Sequence, residues 1–347
     1  MQSIIDILES IKPIIDVRTP AEFAQGHIPN AQNIPLFTNE ERHEVGLCYK
    51  QKGKDAAVKL GLKYVGPKLE LFVESAEHFS QNKQAIIHCW RGGMRSQSMA
   101  WLLKTSGFET QIIEGGYKAF RNVVLNQFKE PHSLISLGGY TGSGKTEILH
   151  ALRGLGEPII DLEGIANHKG SAFGIMGDQP SSEHFENTVA TELIGHKNQG
   201  PIWIEDESRN IGKVYLNNDL KNLMNASPLV VIDKPNDLRI EGLCEDYGKV
   251  PIASLIEDFK KIEKRLGGQH VKAAIKYLEN DDLASACAIA LHYYDKSYEH
   301  ALQRSSRDPH LTLSIGQLSN MEVAKQLIEW KNLNLLNSAT ALDVDAK

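Results

Sequence analysis

Short apolar runs alternate with amphipathic stretches along the first third of the chain. The runs at 13–17, 84–89 and 110–116 each contain a pair of isoleucines and predict buried strands. A helix is expected after the first strand, because Thr19 can cap it and Pro20 suits the first helical position. Strands that alternate with helices in this way predict a parallel sheet with covered faces.

The alternation resumes after a linker at 126–133 and changes near the end of the chain. A strand at 133–137, a glycine-rich loop and a helix at 147–155 begin a second α/β unit, and from about residue 252 the pattern is helical. The predicted fold class is therefore α/β, with a parallel-sheet domain at 1–128, a second α/β domain at 129–251 and its helical C-terminal extension at 252–347.

Composition and charge exclude several classes of protein. The 347 residues contain no apolar run near the roughly 20 residues of a membrane span, and the N-terminal stretch mixes acidic with apolar residues, unlike a secretory signal. We expect a soluble, cytoplasmic protein. The four cysteines, Cys48, Cys89, Cys244 and Cys287, show no close pairing, which argues against a disulfide framework or a zinc ribbon but allows an individual reactive thiol.

Residues 88–96 read HCWRGGMRS and place a cysteine at the end of a predicted strand. Consecutive amides of a tight glycine-containing loop can bind an anion, and the N-terminus of the following helix adds positive charge. Both features favour the thiolate of Cys89, which we predict to be nucleophilic near neutral pH. The catalytic candidates are Cys89, Arg91 and Arg95, and the other predicted residues of the anion loop are Trp90, Gly92, Gly93 and Met94.

Residues 139–146 read GYTGSGKT, a complete Walker A pattern between a predicted strand and a predicted helix. The pattern indicates a site for a diphosphate or triphosphate without identifying it. Asp161 and Asp206 each end an apolar strand and are candidate carboxylates beside a metal ion, with Arg209 nearby in sequence. The predicted phosphate-binding residues are Gly139, Thr141, Gly142, Ser143, Gly144, Lys145 and Thr146, whose hydroxyl can hold Mg²⁺.

The first domain resembles a rhodanese-like domain in its DVR, GHIPNA and EGGYKAF segments. Asp16 and Arg18 match the residues that end the family's first strand, and the resemblance assigns them to the anion site. In that family the loop cysteine carries sulfur as a persulfide or, in the phosphatase-like branch, attacks phosphate. Five residues separate Cys89 from Arg95. Most of the family's sulfurtransferases have four residues between the cysteine and the arginine, whereas cysteine phosphatases have five. The longer loop predicts a wider cradle.

The whole chain resembles the bacterial tRNA 2-selenouridine synthase family at 114–121, 138–149, 161–174 and 203–212. The resemblance implies a two-step modification of wobble 2-thiouridine in tRNA, in which geranyl diphosphate alkylates the sulfur and selenium from selenophosphate then replaces the geranylthio group. Both donors are co-substrates, and no covalently bound cofactor is implied. On this interpretation the P-loop holds the diphosphate without ATP hydrolysis, and Cys89 takes selenium as a selenopersulfide. Candidates for the geranyl pocket are Phe173, Ile175 and Met176.

The net charge of −6 means that tRNA would have to meet a local basic face. One basic cluster follows the second domain and contains the tRNA-binding candidates Lys261, Lys264 and Arg265. A second cluster lies in the lysine-rich segment 49–68 of the first domain. Both are hypotheses from charge alone.

Two other functions remain open from the residues. One is a cysteine phosphatase fused to a nucleotide-binding, kinase-like domain, which would fit the spacing from Cys89 to Arg95 and the Walker A pattern. The other is a binding module, in which a rhodanese-like regulator is joined to a nucleotide-sensing domain and acts on no tRNA.

Overall fold

The computed structural model describes residues 4–10, 12–169, 177–305 and 307–336. These residues form two compact units. The first contains residues up to 130 together with 180–195, and the second contains 131–179 together with the residues from 196 onward. The predicted boundary after residue 128 therefore lies two residues from the observed one. The prediction did not anticipate that residues 180–195, within the predicted range 129–251, belong to the first unit.

The first unit is built on a four-stranded parallel sheet in the order β2-β1-β3-β4. Its strands are β1 (Ile14–Asp16), β2 (Gln32–Asn33), β3 (Gln84–His88) and β4 (Glu109–Ile112). Numbered along the whole chain, its helices are α1 (Ile4–Leu8), α2 (Pro20–Gln25), α3 (Asn39–Lys52), α4 (Lys54–Val65), α5 (Leu69–Phe79), α6 (Met94–Thr105), α7 (Gly116–Gln127) and α10 (Ser182–Gly195), with a 3₁₀ turn at Gly66–Lys68.

Local chemistry explains the predicted elements of this unit. Thr19 caps α2, its hydroxyl accepts from the Glu22 amide and the Glu22 carboxylate accepts from the Thr19 amide, and Pro20 begins the helix as expected. The central strands β1 and β3 are almost wholly buried, which is why their sequences are continuous apolar runs.

The second unit is built on a five-stranded parallel sheet in the order β11-β10-β5-β7-β6. Its strands are β5 (Leu134–Gly139), β6 (Ile159–Ile160), β7 (Ile202–Glu205), β10 (Leu229–Asp233) and β11 (Leu311–Ser314), beside an antiparallel hairpin of β8 (Asn210–Ile211) and β9 (Val214–Tyr215). Its helices are α8 (Lys145–Gly154), α9 (Leu162–Ala166), α11 (Asn218–Ala226), α12 (Asn236–Tyr247), α13 (Ile252–Lys261), α14 (Glu263–Leu266), α15 (Gly268–Glu279), α16 (Leu283–Ser305) and α17 (Asn320–Lys331), followed by a π-helical turn at Asn332–Leu336.

The C-terminal part differs from the all-helical prediction in one element. Strand β11 joins the edge of the sheet beside β10, pairing Leu311 with Val230 and Leu313 with Ile232. Its side chains alternate between half-buried and exposed, so its four residues carry a weaker pattern than the buried strands. The C-terminal extension thus completes the sheet of the second unit as well as adding helices to it.

Helix α10 packs against α7, although most of its sequence neighbours belong to the second unit. Asn187 is fully buried and donates to the His27 carbonyl at 2.9 Å and to the Tyr117 hydroxyl at 2.8 Å. It also accepts from Arg121 at 2.6 Å, and Arg121 forms an ion pair with Glu186. These polar contacts attach α10 to the first unit, and the chain therefore passes between the units three times.

Every helix in the described ranges is too short or too polar to meet the criteria for a membrane span.

We predict that Asn187→Leu destabilises the first unit by about 2–5 kcal/mol, because it leaves buried donors and acceptors without partners. Glu192→Ala, at an exposed position of the same helix, is the matched control and should change stability by about 0.5 kcal/mol or less. Urea unfolding monitored by circular dichroism measures both. Equal stability of the two variants would show that the Asn187 contacts do not hold α10 in place.

Candidate active sites

Cys89 directly follows β3, and its loop ends where α6 begins at Met94. The first turn of α7 fixes the loop from one side. The Tyr117 amide donates to the Cys89 carbonyl at 2.9 Å, and the Lys118 amide donates to the Trp90 carbonyl at 3.0 Å. Because these carbonyls are occupied by α7, the amides of the Cys89 loop (residues 89–95) are available to the cysteine sulfur and to an anion.

Two glycines make this close approach possible. Gly116 has φ +59°, and a Cβ atom there would lie 2.3 Å from the Cys89 carbonyl oxygen and 2.6 Å from the Gly92 nitrogen. Gly92 has φ +68°, and its Cβ atom would lie 2.7 Å from the Ile113 carbonyl oxygen. Any larger residue at either position would push the loop away from α7. This contact accounts for Gly116, which ends the EGG segment and begins α7.

The thiol of Cys89 is buried and surrounded by donors. Burial acts to raise the pKa of the Cys89 thiol, but hydrogen bonds from one hydroxyl and three backbone amides outweigh it and leave the pKa below its ordinary value. The hydroxyl is that of Ser96, 3.3 Å from the sulfur, and the amides are those of Arg91, Gly93 and Ser96. These donors therefore shift the pKa of the Cys89 thiol in the direction that the sequence predicts.

The two arginines of the loop have different surroundings. Arg95 forms a bidentate ion pair with Glu22, with Nη1 to Oε2 at 2.7 Å and Nη2 to Oε1 at 3.2 Å. Burial acts to raise the pKa of Glu22, but the hydrogen bond from Arg95 helps to hold that pKa below its ordinary value. Arg91 is exposed and lines the cavity beside Cys89. Arg91 can thus meet an incoming anion directly, whereas Arg95 would first exchange its carboxylate partner.

Asp16 and Arg18, which the resemblance assigns to the anion site, are both buried, and Asp16 pairs in register with His88, the residue before Cys89. They pair with each other, with Arg18 Nη2 2.6 Å from Asp16 Oδ2, and are 0% and 1% exposed. The Arg18 guanidinium also stacks on the Tyr117 ring at 3.7 Å and donates to the Gly26 carbonyl. Burial lowers the pKa of neighbouring His88 to about 4, so this histidine is neutral at pH 7. The geometry gives the pair a role in holding the end of β1 and the start of α7.

A cavity of about 1080 Å³ opens beside Cys89 within the first unit. The helical hairpin α3–α4, which contains most of the lysine-rich segment, forms one wall, and Trp90 and Met94 of the Cys89 loop form another. Several large apolar side chains that line it remain exposed, namely Leu47, Tyr49, Leu62, Trp90 and Met94. Basic side chains also line it, namely Arg42, His43, Lys50, Lys54, Arg91 and Arg95. Such a cavity suits a ligand with a large apolar part and a negative charge.

The second site is the P-loop (residues 139–146) between β5 and α8, where the sequence placed it. Gly139, Gly142 and Gly144 have φ values of +145°, +78° and +84°, which glycine adopts without strain. A Cβ atom at Gly139 would lie 2.7 Å from the Ile232 carbonyl oxygen. Lys145 Nζ donates to the Gly139 carbonyl at 3.0 Å and lies across the loop. Thr141 and Ser143 occupy the positions between these glycines, and the Ser143 side chain is buried.

Helices from the C-terminal part of the second unit support the P-loop from behind. Arg239 of α12 is almost fully buried, donates to the Thr141 carbonyl at 2.9 Å and pairs with Asp295 of α16. The Tyr298 hydroxyl, also on α16, accepts from the Gly139 amide at 2.9 Å. Helices α12 and α16 therefore fix the loop backbone, a role that the sequence pattern did not reveal.

The carboxylates beside Thr146 are Glu163 and Glu205. The Thr146 hydroxyl lies 3.0 Å from Glu163 Oε2 and 2.8 Å from Glu205 Oε1. Burial, together with Glu163, raises the pKa of Glu205 well above its ordinary value, and burial with Glu163 also raises the pKa of Glu207 to about 7. A hydroxyl and two carboxylates are oxygen donors of the kind that Mg²⁺ prefers, so these residues fit the ion.

Asp161 and Asp206, the carboxylates chosen from the sequence, have other partners. Asp161 caps α9 through the Gly164 amide and contacts His150 at 2.6 Å. Asp206 forms ion pairs with Lys221 at 3.4 Å and Arg307 at 2.9 Å. Arg209 is exposed, and its carbonyl accepts from the Leu216 amide. The two aspartates are predicted because each ends a strand. The carboxylate that reaches Thr146 instead belongs to Glu205, the residue before Asp206.

The remaining candidates lie elsewhere. Lys261 ends α13 and pairs with Asp258 at 2.7 Å, and Lys264 and Arg265 lie on α14. They form an exposed basic patch, and their binding to tRNA stays a prediction. Phe173, Ile175 and Met176 lie outside the described residues.

Comparison with known proteins identifies both units. The profile of the rhodanese-like domain matches residues 2–123, and that of the tRNA 2-selenouridine synthase AAA domain matches residues 132–326. The tRNA 2-selenouridine synthase of Sulfurovum sp. strain NBC37-1 is 38% identical over 330 residues, covering 85% of this chain and 90% of that protein. The protein of the same description from Nitrosomonas europaea is 34% identical over 350 residues, covering 86% and 91%.

We predict that Ser96→Ala raises the pKa of Cys89 by about one unit or more, because a hydrogen bond to a charged group contributes about 1.5–3 kcal/mol. Alkylation of Cys89 by iodoacetamide at pH 7 should slow about tenfold, and the rates of variant and parent should converge in alkaline solution. Peptide mass spectrometry reads the rate at Cys89 alone. Gln97→Ala, exposed on the same helix and not among the residues that line the cavity, should behave as the parent, and a similar result for Ser96→Ala would show that the hydroxyl does not stabilise the thiolate.

Proposed function

The chain belongs to the tRNA 2-selenouridine synthase family, and we propose that it converts wobble 2-thiouridine of tRNA into 2-selenouridine in two steps. The first step transfers a geranyl group from geranyl diphosphate to the sulfur. The second replaces the geranylthio group by selenium from selenophosphate. The observation that best supports this order of reaction steps is the cavity with apolar side chains beside Cys89, in a chain that also has a P-loop.

The first step is assigned to the P-loop. The thiocarbonyl sulfur attacks C1 of geranyl diphosphate, the C–O bond breaks and diphosphate leaves while the base loses its N3 proton. Negative charge develops on the leaving diphosphate, and the loop amides and Lys145 can stabilise it. Thr146 would hold a Mg²⁺ ion, which would supply further positive charge when bound. Because the reaction transfers carbon rather than a phosphoryl group, no water has to be activated.

The second step is assigned to the Cys89 site. Alkylation turns the sulfur into a leaving group, since C2 of the base then carries a thioether in place of a thiocarbonyl. The amides of the loop can bind the selenophosphate oxyanion, and Arg91 adds charge. In this proposal the geranyl chain binds in the Cys89 cavity, whose lining includes Leu47, Leu62 and Met94. C2 of the base then lies near the loop.

Two variants separate the steps. We predict that Cys89→Ser accumulates S-geranyl-2-thiouridine and forms no 2-selenouridine. Lys145→Ala should slow geranylation by about 100- to 1000-fold, the usual cost of removing one group that stabilises transition-state charge. Nucleoside mass spectrometry of purified tRNA after reaction measures both products.

Lys145→Ala should still convert tRNA that already carries the geranyl group, and this conversion is the control for its folding. Normal formation of 2-selenouridine by Cys89→Ser would remove Cys89 from the second step. Normal geranylation by Lys145→Ala would remove the P-loop from the first.

The cavity assignment predicts a preference for long alkyl chains. The parent should use S-geranyl-2-thiouridine about 100-fold better than S-methyl-2-thiouridine, as judged by kcat/KM, which corresponds to burying three or four CH₂ groups at about 0.8 kcal/mol each. The double variant Leu47→Glu, Leu62→Glu should lose this preference by slowing with the geranyl substrate only.

The two leucines are 45% and 65% exposed, so charge at these positions should not unfold the unit. Leu71→Glu is the matched control, since Leu71 is 58% exposed on α5 and is not among the residues that line the cavity. Retention of the full preference by the double variant would place the geranyl chain elsewhere.

A further inference from the structure

The oxidation state of selenium restricts what Cys89 can do. Selenium is at the same oxidation level in selenophosphate and in 2-selenouridine, so the replacement of sulfur by selenium needs no oxidant. A selenopersulfide on Cys89 would hold selenium two electrons more oxidised. Its formation from selenophosphate would require an added oxidant or the release of phosphorus at the level of phosphite. The selenopersulfide expected from the family resemblance therefore does not balance with these substrates alone.

We propose that the Cys89 thiolate attacks the phosphorus atom of selenophosphate, not its selenium. An S–P bond forms, the P–Se bond breaks, and selenium leaves with the electron pair as hydrogen selenide. Hydrogen selenide then adds to C2 of the alkylated base, its proton moves to N3, and geranylthiolate departs. Water finally hydrolyses the S–P bond, which returns phosphate and the free thiolate. This step rests on the proposed use of selenophosphate as the selenium donor.

The hydrogen-bond donors of the Cys89 loop suit a phosphoryl group. Its amides at Arg91, Gly93 and Ser96 point to the cysteine sulfur, while α7 occupies the carbonyls of Cys89 and Trp90. The surface around the sulfur therefore offers several donors to an incoming group. A phosphoryl group undergoing transfer carries charge on three oxygens and can use such donors together, whereas a single selenium atom on sulfur cannot.

The hydroxyl of Ser96 lies where it can stabilise the Cys89 thiolate as the S–P bond breaks. It lies 3.3 Å from the Cys89 sulfur and 3.0 Å from the Gly93 carbonyl oxygen, and its one proton can be donated to only one of them. When the sulfur carries a phosphoryl group it is a poor acceptor, and the proton goes to Gly93. As the S–P bond breaks, charge develops on the sulfur and the hydroxyl can turn to it. Ser96 thus stabilises the leaving thiolate.

The spacing of the loop agrees with this chemistry. Five residues between Cys89 and Arg95 bring the arginine back to the start of α6, where Glu22 holds its guanidinium through both Nη atoms. A doubly charged phosphoryl group at the sulfur would compete with Glu22 for Arg95. The pair therefore keeps the arginine oriented before the anion arrives.

The test uses the full-length protein and selenophosphate under rapid-quench conditions, with and without geranylated tRNA. Phosphorus NMR and peptide mass spectrometry identify the group on Cys89, and an alkylating trap measures released selenide. We expect S-phosphocysteine at Cys89 and an equal amount of selenide. In Ser96→Ala the phosphorylated form should accumulate, because its hydrolysis slows by about 10- to 100-fold, while Gln97→Ala should match the parent.

Selenium on Cys89 without phosphorus, or equal selenide release by Cys89→Ser, would overturn the phosphoryl step. So would formation of 2-selenouridine by Ser96→Ala with no phosphocysteine under either condition. In all three cases the parent still makes 2-selenouridine, and the proposed function stands. Failure of the parent to convert geranylated tRNA would instead overturn the proposed function and this step with it.

Discussion

Two backbone hydrogen bonds, from Tyr117 and Lys118 to the carbonyls of Cys89 and Trp90, determine the chemistry of the first unit. They turn the carbonyl oxygens of the loop toward α7 and leave its amides for the sulfur and an anion. These hydrogen bonds require the backbone of α7 to approach the loop closely. Only glycine at position 116 permits this, because a Cβ atom there would clash with the Cys89 carbonyl oxygen. The buried ion pair of Asp16 and Arg18 stabilises the start of α7, because the Arg18 guanidinium stacks on the Tyr117 ring. The lowered pKa of the Cys89 thiol depends on the amides that this contact leaves available.

On the proposed function, the two sites meet different chemical requirements of one substitution reaction. A thiocarbonyl sulfur leaves poorly, and alkylation corrects this at the cost of adding an apolar group to a polar substrate. In the proposed reaction the P-loop supplies charge for the departing diphosphate, and the cavity beside Cys89 supplies apolar surface for the added geranyl chain. On this proposal both sites are needed because the product of the first is the substrate of the second.

Local sequence signals predicted much of the fold and of both sites. The cap at Thr19, the Cys89 loop and the P-loop each depend on residues close together in the chain, and the structure shows them where the sequence placed them. The carboxylates beside Thr146 and the attachment of α10 depend on residues that are distant in sequence, so no local pattern marks them. Asp206 illustrates the limit, because a strand end predicts a position near the ligand but does not say that Lys221 and Arg307 neutralise the side chain.

The central claim is that alkylation must precede selenation, and an omission experiment tests it most directly. Purified protein is incubated with tRNA that carries wobble 2-thiouridine and with selenophosphate, either with or without geranyl diphosphate, and the wobble nucleosides are measured by mass spectrometry. The account predicts S-geranyl-2-thiouridine with geranyl diphosphate alone, 2-selenouridine with both donors, and unchanged 2-thiouridine with selenophosphate alone. Formation of 2-selenouridine at the full rate without geranyl diphosphate would contradict it.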